Sequence, residues 1–85
     1  MERKKRINNI LSNNFKSWQI EVIDISFLHE GHNNFDGKNE THFSIILNNK
    51  NIKNFNRIDI HRKIHFLLKD EFYSGLHALE IKLKN

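Results

Sequence analysis

Six histidines are the side chains of this chain best suited to bind a metal, because the sequence contains no cysteine. His29 and His32 flank Gly31 in a polar segment. Neutral imidazole is a common metal ligand, and a loop allows it to turn outward. The spacing His-Glu-Gly-His is one residue shorter than the His-Glu-x-x-His of zinc proteases, which excludes that kind of site. The two histidines are therefore either solvated loop residues or ligands of a metal or a metal cluster.

The other histidines occur in segments with a regular hydrophobic pattern. His61 and His65 are four residues apart on a predicted helix, a spacing that can hold zinc. Both lie at the edge of the apolar face of this predicted helix, which favours partly buried, hydrogen-bonded histidines. His42 begins a predicted strand and is expected to have a structural cross-strand role. His77 begins the last predicted strand, as either a hydrogen-bonded edge residue or a ligand.

Several functional classes are excluded by composition. Without cysteine the chain cannot form disulfides, thiol catalysts or cysteine-based zinc or iron–sulfur sites on its own. There is no Gly-x-Ser-x-Gly motif and no glycine-rich nucleotide loop, so we predict no enzymatic activity and no catalytic residues. The longest apolar runs have three residues, which predicts no membrane segment, no membrane partner and a cytoplasmic location.

Positive charge is concentrated at the N-terminus. The formal net charge is +4, of which residues 1–6 contribute +3. We interpret these residues as a basic tail. Its four basic residues are Arg3, Lys4, Lys5 and Arg6. Asn, Ile and Lys make up 35 of the 85 residues, a bias expected from an AT-rich, bacterial genome, so part of the lysine content is attributable to base composition.

The hydrophobic pattern predicts one α+β domain over residues 1–85. A three-stranded mixed sheet forms one layer, and helices cover one of its faces. Gly75 is expected to end the second helix. The predicted elements are a helix at 3–16, a strand at 19–27, a loop at 28–40, a strand at 41–48, a turn or short helical turn at 49–56, a helix at 57–73 and a strand at 77–84.

Connectivity predicts where three histidines meet. The first two strands are joined by the loop and should be antiparallel, whereas the third follows a helical crossover, the connection that parallel strands require. The second and third strands would then begin at the end of the sheet where the loop lies. His29, His32 and His77 should therefore converge.

The outer face of the second helix combines basic and aromatic side chains. These are Arg62, Lys63, Lys69, Phe66 and Tyr73. Such a face suits contact with nucleic acid or protein. A solvated helix face explains the charges but not the exposed phenylalanine.

An ordered set of short motifs resembles the BolA family. The set consists of Ile-Glu-Val-Ile-Asp-Ile-Ser at 20–26 followed by His29, Glu-Thr-His-Phe at 40–43, His-Arg at 61–62, Asp-Glu-Phe at 70–72 and His-Ala-Leu at 77–79. The resemblance implies a helix–strand–strand–helix–helix–strand fold like the type II K-homology fold, without its Gly-x-x-Gly loop. Residues 49–57 indeed contain no glycine. It also implies a short extra helix within 49–56.

The resemblance implies a partner role with a monothiol glutaredoxin. The two proteins would share a [2Fe–2S] cluster, with thiolates from glutaredoxin and glutathione and histidine from this chain. The C-terminal ligand of the family corresponds to His77, and the loop ligand corresponds to His29, with His32 as the alternative. The isolated chain would be a monomer that holds no cluster tightly and would form a heterodimer with its partner.

A second implication is DNA-binding regulation of stress and morphology responses through the long helix. The residues involved would be Arg57, Arg62, Lys63 and the terminal basic residues. The common Arg-His-Arg of the family reads Ile60-His61-Arg62 here, which removes one phosphate contact. A third possibility is a protein-interaction module that binds neither cluster nor DNA.

Overall fold

The structure of the protein is a computed structural model that describes residues 2–26 and 41–85. The predicted loop at 28–40 lies outside the described residues. The elements are α1 (Glu2–Asn14), β1 (Gln19–Asp24), β2 (His42–Asn48), α2 (Arg57–Leu67), α3 (Lys69–Tyr73) and β3 (Ala78–Lys84). None of the described helices is long and apolar enough to cross a membrane.

The sheet has the predicted mixed topology, in the order β1-β2-β3. β1 pairs with β2 in antiparallel fashion, with Val22 opposite Ile45. β2 pairs with β3 in parallel, with Ile45 opposite Ile81. β2 and β3 therefore begin at the same end of the sheet, which confirms the α+β fold and the helical crossover.

Alternation along the strands directs one face of the sheet toward the helices. Phe43, Ile45 and Leu47 of the central strand are fully buried, as the two-residue period of a strand requires. The helical layer adds further residues to this core. The buried residues that the helices add are Ile7, Leu11, Ile64 and Leu68.

The segment before α2 is a turn, so the short extra helix implied within 49–56 is a wrong expectation. The Asn49 side chain is buried and its Oδ1 accepts the N–H of Asn51 at 2.9 Å, closing a local turn. The Asn56 Oδ1 accepts the N–H of Asp59 at 3.1 Å and caps α2. These asparagine contacts stabilise a turn and a helix start in place of a helix.

The short helix of this fold is α3, which follows α2 and does not precede it. The predicted helix at 57–73 is interrupted at Leu68, whose φ of −100° and ψ of 13° depart from helical values. Leu68 is fully buried, so its side chain packs in the core at the point where α2 ends and α3 begins. Ile58, in the first turn of α2, is 62% exposed and lines a surface groove, although its helical spacing with the buried Ile64 and Leu68 would predict a place on the apolar face.

The predicted stop at Gly75 is confirmed. Its φ of 128° lies in the region that favours glycine, and the N–H of Leu76 donates to the Glu71 carbonyl at 2.9 Å. A Cβ at this position would lie 3.4 Å from the Arg3 guanidinium. That distance is an ordinary contact, so glycine is favoured here by the backbone conformation that ends α3 and not by lack of space.

Two arginines of α1 bind one buried carboxylate, an arrangement that we call the Glu71 clasp. Arg3 Nε donates to Glu71 Oε1 at 3.0 Å, and Arg6 Nε donates to Glu71 Oε2 at 2.8 Å. Arg3 also donates to the Ser74 carbonyl at 2.8 Å. The basic residues interpreted as a tail thus lie in α1, and two of them attach it to α3.

The Glu71 clasp predicts a loss of stability in acid. Hydrogen bonding from Arg6 lowers the pKa of Glu71; burial opposes this effect, and bonding from Arg3 supports it. A carboxyl with a lowered folded-state pKa contributes stability that is complete above its unfolded-state pKa, about 4.3, and disappears as pH falls through the folded-state value. We expect urea unfolding to show a steeper decline below about pH 4.3 in the wild type than in Glu71→Gln, in which the other carboxyls, including Glu80 with its lowered pKa, still titrate. Parallel declines in both proteins would contradict this assignment.

Candidate metal-ligating site

His77 presents an exposed side chain on a fixed backbone. It immediately precedes β3, and its N–H donates to the Thr41 carbonyl at 2.7 Å. The N–H of Ala78 donates to the same oxygen at 3.2 Å. These bonds hold the main chain at the start of β3 while the imidazole remains exposed. This is a suitable position for a ligand.

His42 lies beside His77 at the start of β2. It is half-buried, and its Nδ1 lies 2.8 Å from the Thr41 hydroxyl. The centroids of the two imidazole rings are 5.8 Å apart and the rings are inclined at 75°, an edge-on contact. This contact agrees with the structural cross-strand role predicted for His42, and it follows from the parallel register that places His42 opposite Ala78.

Ser26 connects the two chain segments that flank residues 27–40. It is fully buried, and its Oγ accepts the N–H of Thr41 at 3.0 Å and of His42 at 3.1 Å. His29 and His32 lie outside the described residues, so their convergence on His77 stays a prediction. The described ends of that segment do lie at the end of the sheet where His77 is located.

Among the described residues at this end of the sheet, two imidazoles, those of His42 and His77, lie side by side. Within residues 2–26 and 41–85, no group of three histidine, aspartate or glutamate side chains is placed to hold a metal ion. The chain also has no cysteine. His77 therefore fits the role of one exposed ligand, and any thiolate ligands would have to come from another molecule.

Two of the predicted DNA-binding residues line a separate groove on α2. Arg57 and Arg62 border a groove of about 380 Å³ together with Ile58, His61 and His65. Arg57 also donates from Nη1 to the Leu83 carbonyl at 3.2 Å. His61 is half-buried as predicted, whereas His65 is exposed and stacks on Phe72 with ring centroids 5.4 Å apart.

The remaining predicted basic residues are placed on other surfaces. Lys63 Nζ lies 5.0 Å from the centroid of the Phe15 ring, in a cation–π contact. Arg3 and Arg6 belong to the Glu71 clasp. Lys4 and Lys5 are exposed and line a groove beside β1.

Two aromatic side chains are exposed as the sequence predicts. Phe66 is 65% exposed and Tyr73 is 89% exposed. Lys69 Nζ lies 4.5 Å from the centroid of the Phe66 ring. This cation–π contact accounts for part of the Phe66 surface and leaves Tyr73 open for contact with another molecule.

The fold is an α+β domain of the kind seen in BolA structures. The BolA domain of SufE1 from Arabidopsis thaliana superposes with a TM-score of 0.80 at 36% identity, covering 99% of this chain and 92% of that one. BolA1 from the same plant gives a TM-score of 0.77 at 29% identity, covering 96% and 89%. The model of the family described as BolA-like protein matches residues 11–85. The chain belongs to the BolA-like protein family.

Two curated relatives agree with this assignment. The UV-induced protein uvi31 of Schizosaccharomyces pombe (strain 972 / ATCC 24843) is 38% identical over 84 residues, which are 95% of this chain and 82% of that protein. The chloroplastic protein BOLA1 of Arabidopsis thaliana is 32% identical over 84 residues, which are 96% of this chain and 52% of that protein. This chain thus spans about half the length of chloroplastic BOLA1.

Proposed function

We propose that this chain is the partner of a monothiol glutaredoxin and shares a [2Fe–2S] cluster with it in iron–sulfur cluster assembly, trafficking or iron regulation. His77 supplies one ligand from the start of β3. The observation that carries the proposal is the exposed imidazole of His77 on a main chain held by the Thr41 carbonyl. Membership of the BolA-like family supports the same function.

The chemistry of the donors explains why a partner is required. Iron–sulfur clusters are held by cysteine thiolates, and histidine replaces cysteine in some of them. This chain has imidazoles and no thiol. Glutaredoxin and glutathione would supply the thiolates, whereas this chain would bind, orient and partly enclose one side of the cluster. A bound cluster would supply electron-transfer chemistry or iron for delivery.

Native mass spectrometry tests the proposed assembly. The isolated chain should appear as a monomer without a cluster. With cluster-loaded glutaredoxin it should form a species that contains one of each chain, one glutathione and one [2Fe–2S] cluster. A cluster-loaded homodimer of this chain, or failure to form any heterodimer, would contradict the proposal.

The second ligand is expected to come from the segment that contains His29 and His32. We expect His29→Ala to weaken retention of the cluster in the heterodimer, and the double replacement of His29 and His32 to weaken it further, because the sequence predicts both imidazoles in one loop. Release of the cluster to a chelator measures this retention. Equal retention by the wild type and the double variant would exclude both residues.

DNA binding is the second candidate function, favoured by the exposed Lys4 and Lys5 beside β1 and by the groove that Arg57 and Arg62 share on α2. We expect weak binding that depends on salt and in which the exposed Lys4 and Lys5 contribute most. Replacing both with glutamine should lower the slope of log affinity against log salt by about 0.9 per lost phosphate contact, with the Glu71 clasp intact. Fluorescence anisotropy measures this slope.

The matched control for this prediction is the double variant Arg57→Gln/Arg62→Gln. It should change the slope less than the lysine double variant does. Sequence-selective binding at about 150 mM salt that is lost in the arginine variant would instead make the DNA-binding regulator the better description of this chain.

A further inference from the structure

A chain of hydroxyl groups links the end of β1 to the imidazole of His42. Ser26 Oγ is fully buried and lies 3.3 Å from the Thr41 hydroxyl, which in turn lies 2.8 Å from His42 Nδ1. Ser26 itself is held, since its N–H donates to Asp24 Oδ1 at 2.9 Å. The orientation of the His42 ring is therefore set by two buried residues, one that follows β1 and one that precedes β2.

Thr41 acts on both histidines at once. Its carbonyl accepts the N–H groups of His77 and Ala78, and its hydroxyl contacts the His42 ring. Thr41 is itself buried, and its own N–H donates to Ser26 Oγ. A shift of this residue would thus move the main chain of His77 and the ring of His42 together.

The contact between the two rings links the fixed His42 ring to the exposed side chain of His77. A separation of 5.8 Å and an inclination of 75° fall within the range of favourable edge-to-face ring pairs. The imidazole of His77 is exposed, whereas His42 is half-buried and bonded. His42 therefore offers His77 a fixed surface that limits the rotation of its ring.

We infer that His42 is a positioning residue for His77, held in place by Thr41 and Ser26. The inference rests on the proposed function, because it assigns His42 to the orientation of a cluster ligand. Groups that orient a ligand commonly change metal affinity by about 10- to 100-fold when they are removed. His42 itself need not touch the cluster for this effect.

The first test uses the isolated protein and needs no cluster. Carbon–proton spectra of the histidine rings should show the His77 resonances moving in His42→Ala, because a neighbouring aromatic ring has been removed. They should also move in Thr41→Val and return toward the wild-type positions in Thr41→Ser, which keeps the hydroxyl. His61→Ala, on α2, is the matched control and should leave the His77 resonances unchanged.

The second test uses the heterodimer with cluster-loaded glutaredoxin. His42→Ala and Thr41→Val should still form it but release the cluster to a chelator about 10-fold faster, whereas Thr41→Ser should resemble the wild type. Amide spectra establish whether each variant is folded. If His42→Ala does not fold, the result for Thr41→Val decides the test. Unmoved His77 resonances and wild-type release would overturn the positioning role. If His77→Ala itself leaves the cluster spectrum unchanged, the proposed function fails, whereas the ring spectra still decide whether His42 orders His77.

Discussion

Replacing Glu71 with alanine is expected to lower the free energy of unfolding by about 3 kcal/mol, because it leaves a buried guanidinium without its carboxylate. Only 7% of the Glu71 side chain and 10% of the Arg3 side chain are exposed. Arg6 is 48% exposed, so water screens its share of the loss. Urea unfolding at neutral pH measures the change.

The control is Lys82→Ala, which breaks an exposed ion pair and keeps the hydrogen bond that Ser44 Oγ donates to Glu80. Glu80 Oε1 lies 3.1 Å from Lys82 Nζ, but both side chains are about half exposed. Pairs of this kind contribute little to stability, so we expect no measurable change. Equal effects of the two substitutions would show that the Glu71 clasp does not stabilise the attachment of α1 to α3.

Replacing His77 with alanine is expected to abolish the changed visible spectrum of the heterodimer. The neighbouring imidazole of His42 is bonded to the Thr41 hydroxyl, so local movement should not restore the lost ligand. The exposed side chain contributes little to the core, and the free energy of unfolding should change by no more than about 0.5 kcal/mol. Visible circular dichroism and urea unfolding measure the two quantities.

His65→Ala is the matched control for this substitution. His65 is also exposed, but it lies on α2 and stacks on Phe72. It should leave the spectrum of the heterodimer unchanged. A His77→Ala protein that forms the same coloured complex as the wild type would remove His77 from the ligand set.

The sequence was sufficient to predict the sheet and the place of the candidate site. The alternation of Leu79, Ile81 and Leu83 identifies β3, because a two-residue period occurs only in a strand. The long crossover before it implies a parallel pairing, and that pairing brings His77 to the start of β2. These are consequences of connectivity and periodicity, which are local properties of the chain.

Contacts between distant segments could not be predicted in the same way. The Glu71 clasp joins residues 68 positions apart in the sequence, and no local pattern distinguishes Arg3 from the exposed Lys4 beside it. The break at Leu68 is similarly hidden, because its apolar side chain continues the helical pattern. The ring contact between His42 and His77 depends on the register of β2 and β3, which the alternation alone does not fix.

Visible circular dichroism during a titration of cluster-loaded glutaredoxin with this protein tests the central claim most directly. The isolated protein should be colourless, and the spectrum should change to a new form that is complete at one chain per glutaredoxin. That result would follow from replacement of a glutaredoxin-side ligand by an imidazole of this chain. A spectrum that stays the sum of the two components, or a stoichiometric [2Fe–2S] cluster on the isolated chain, would contradict the account.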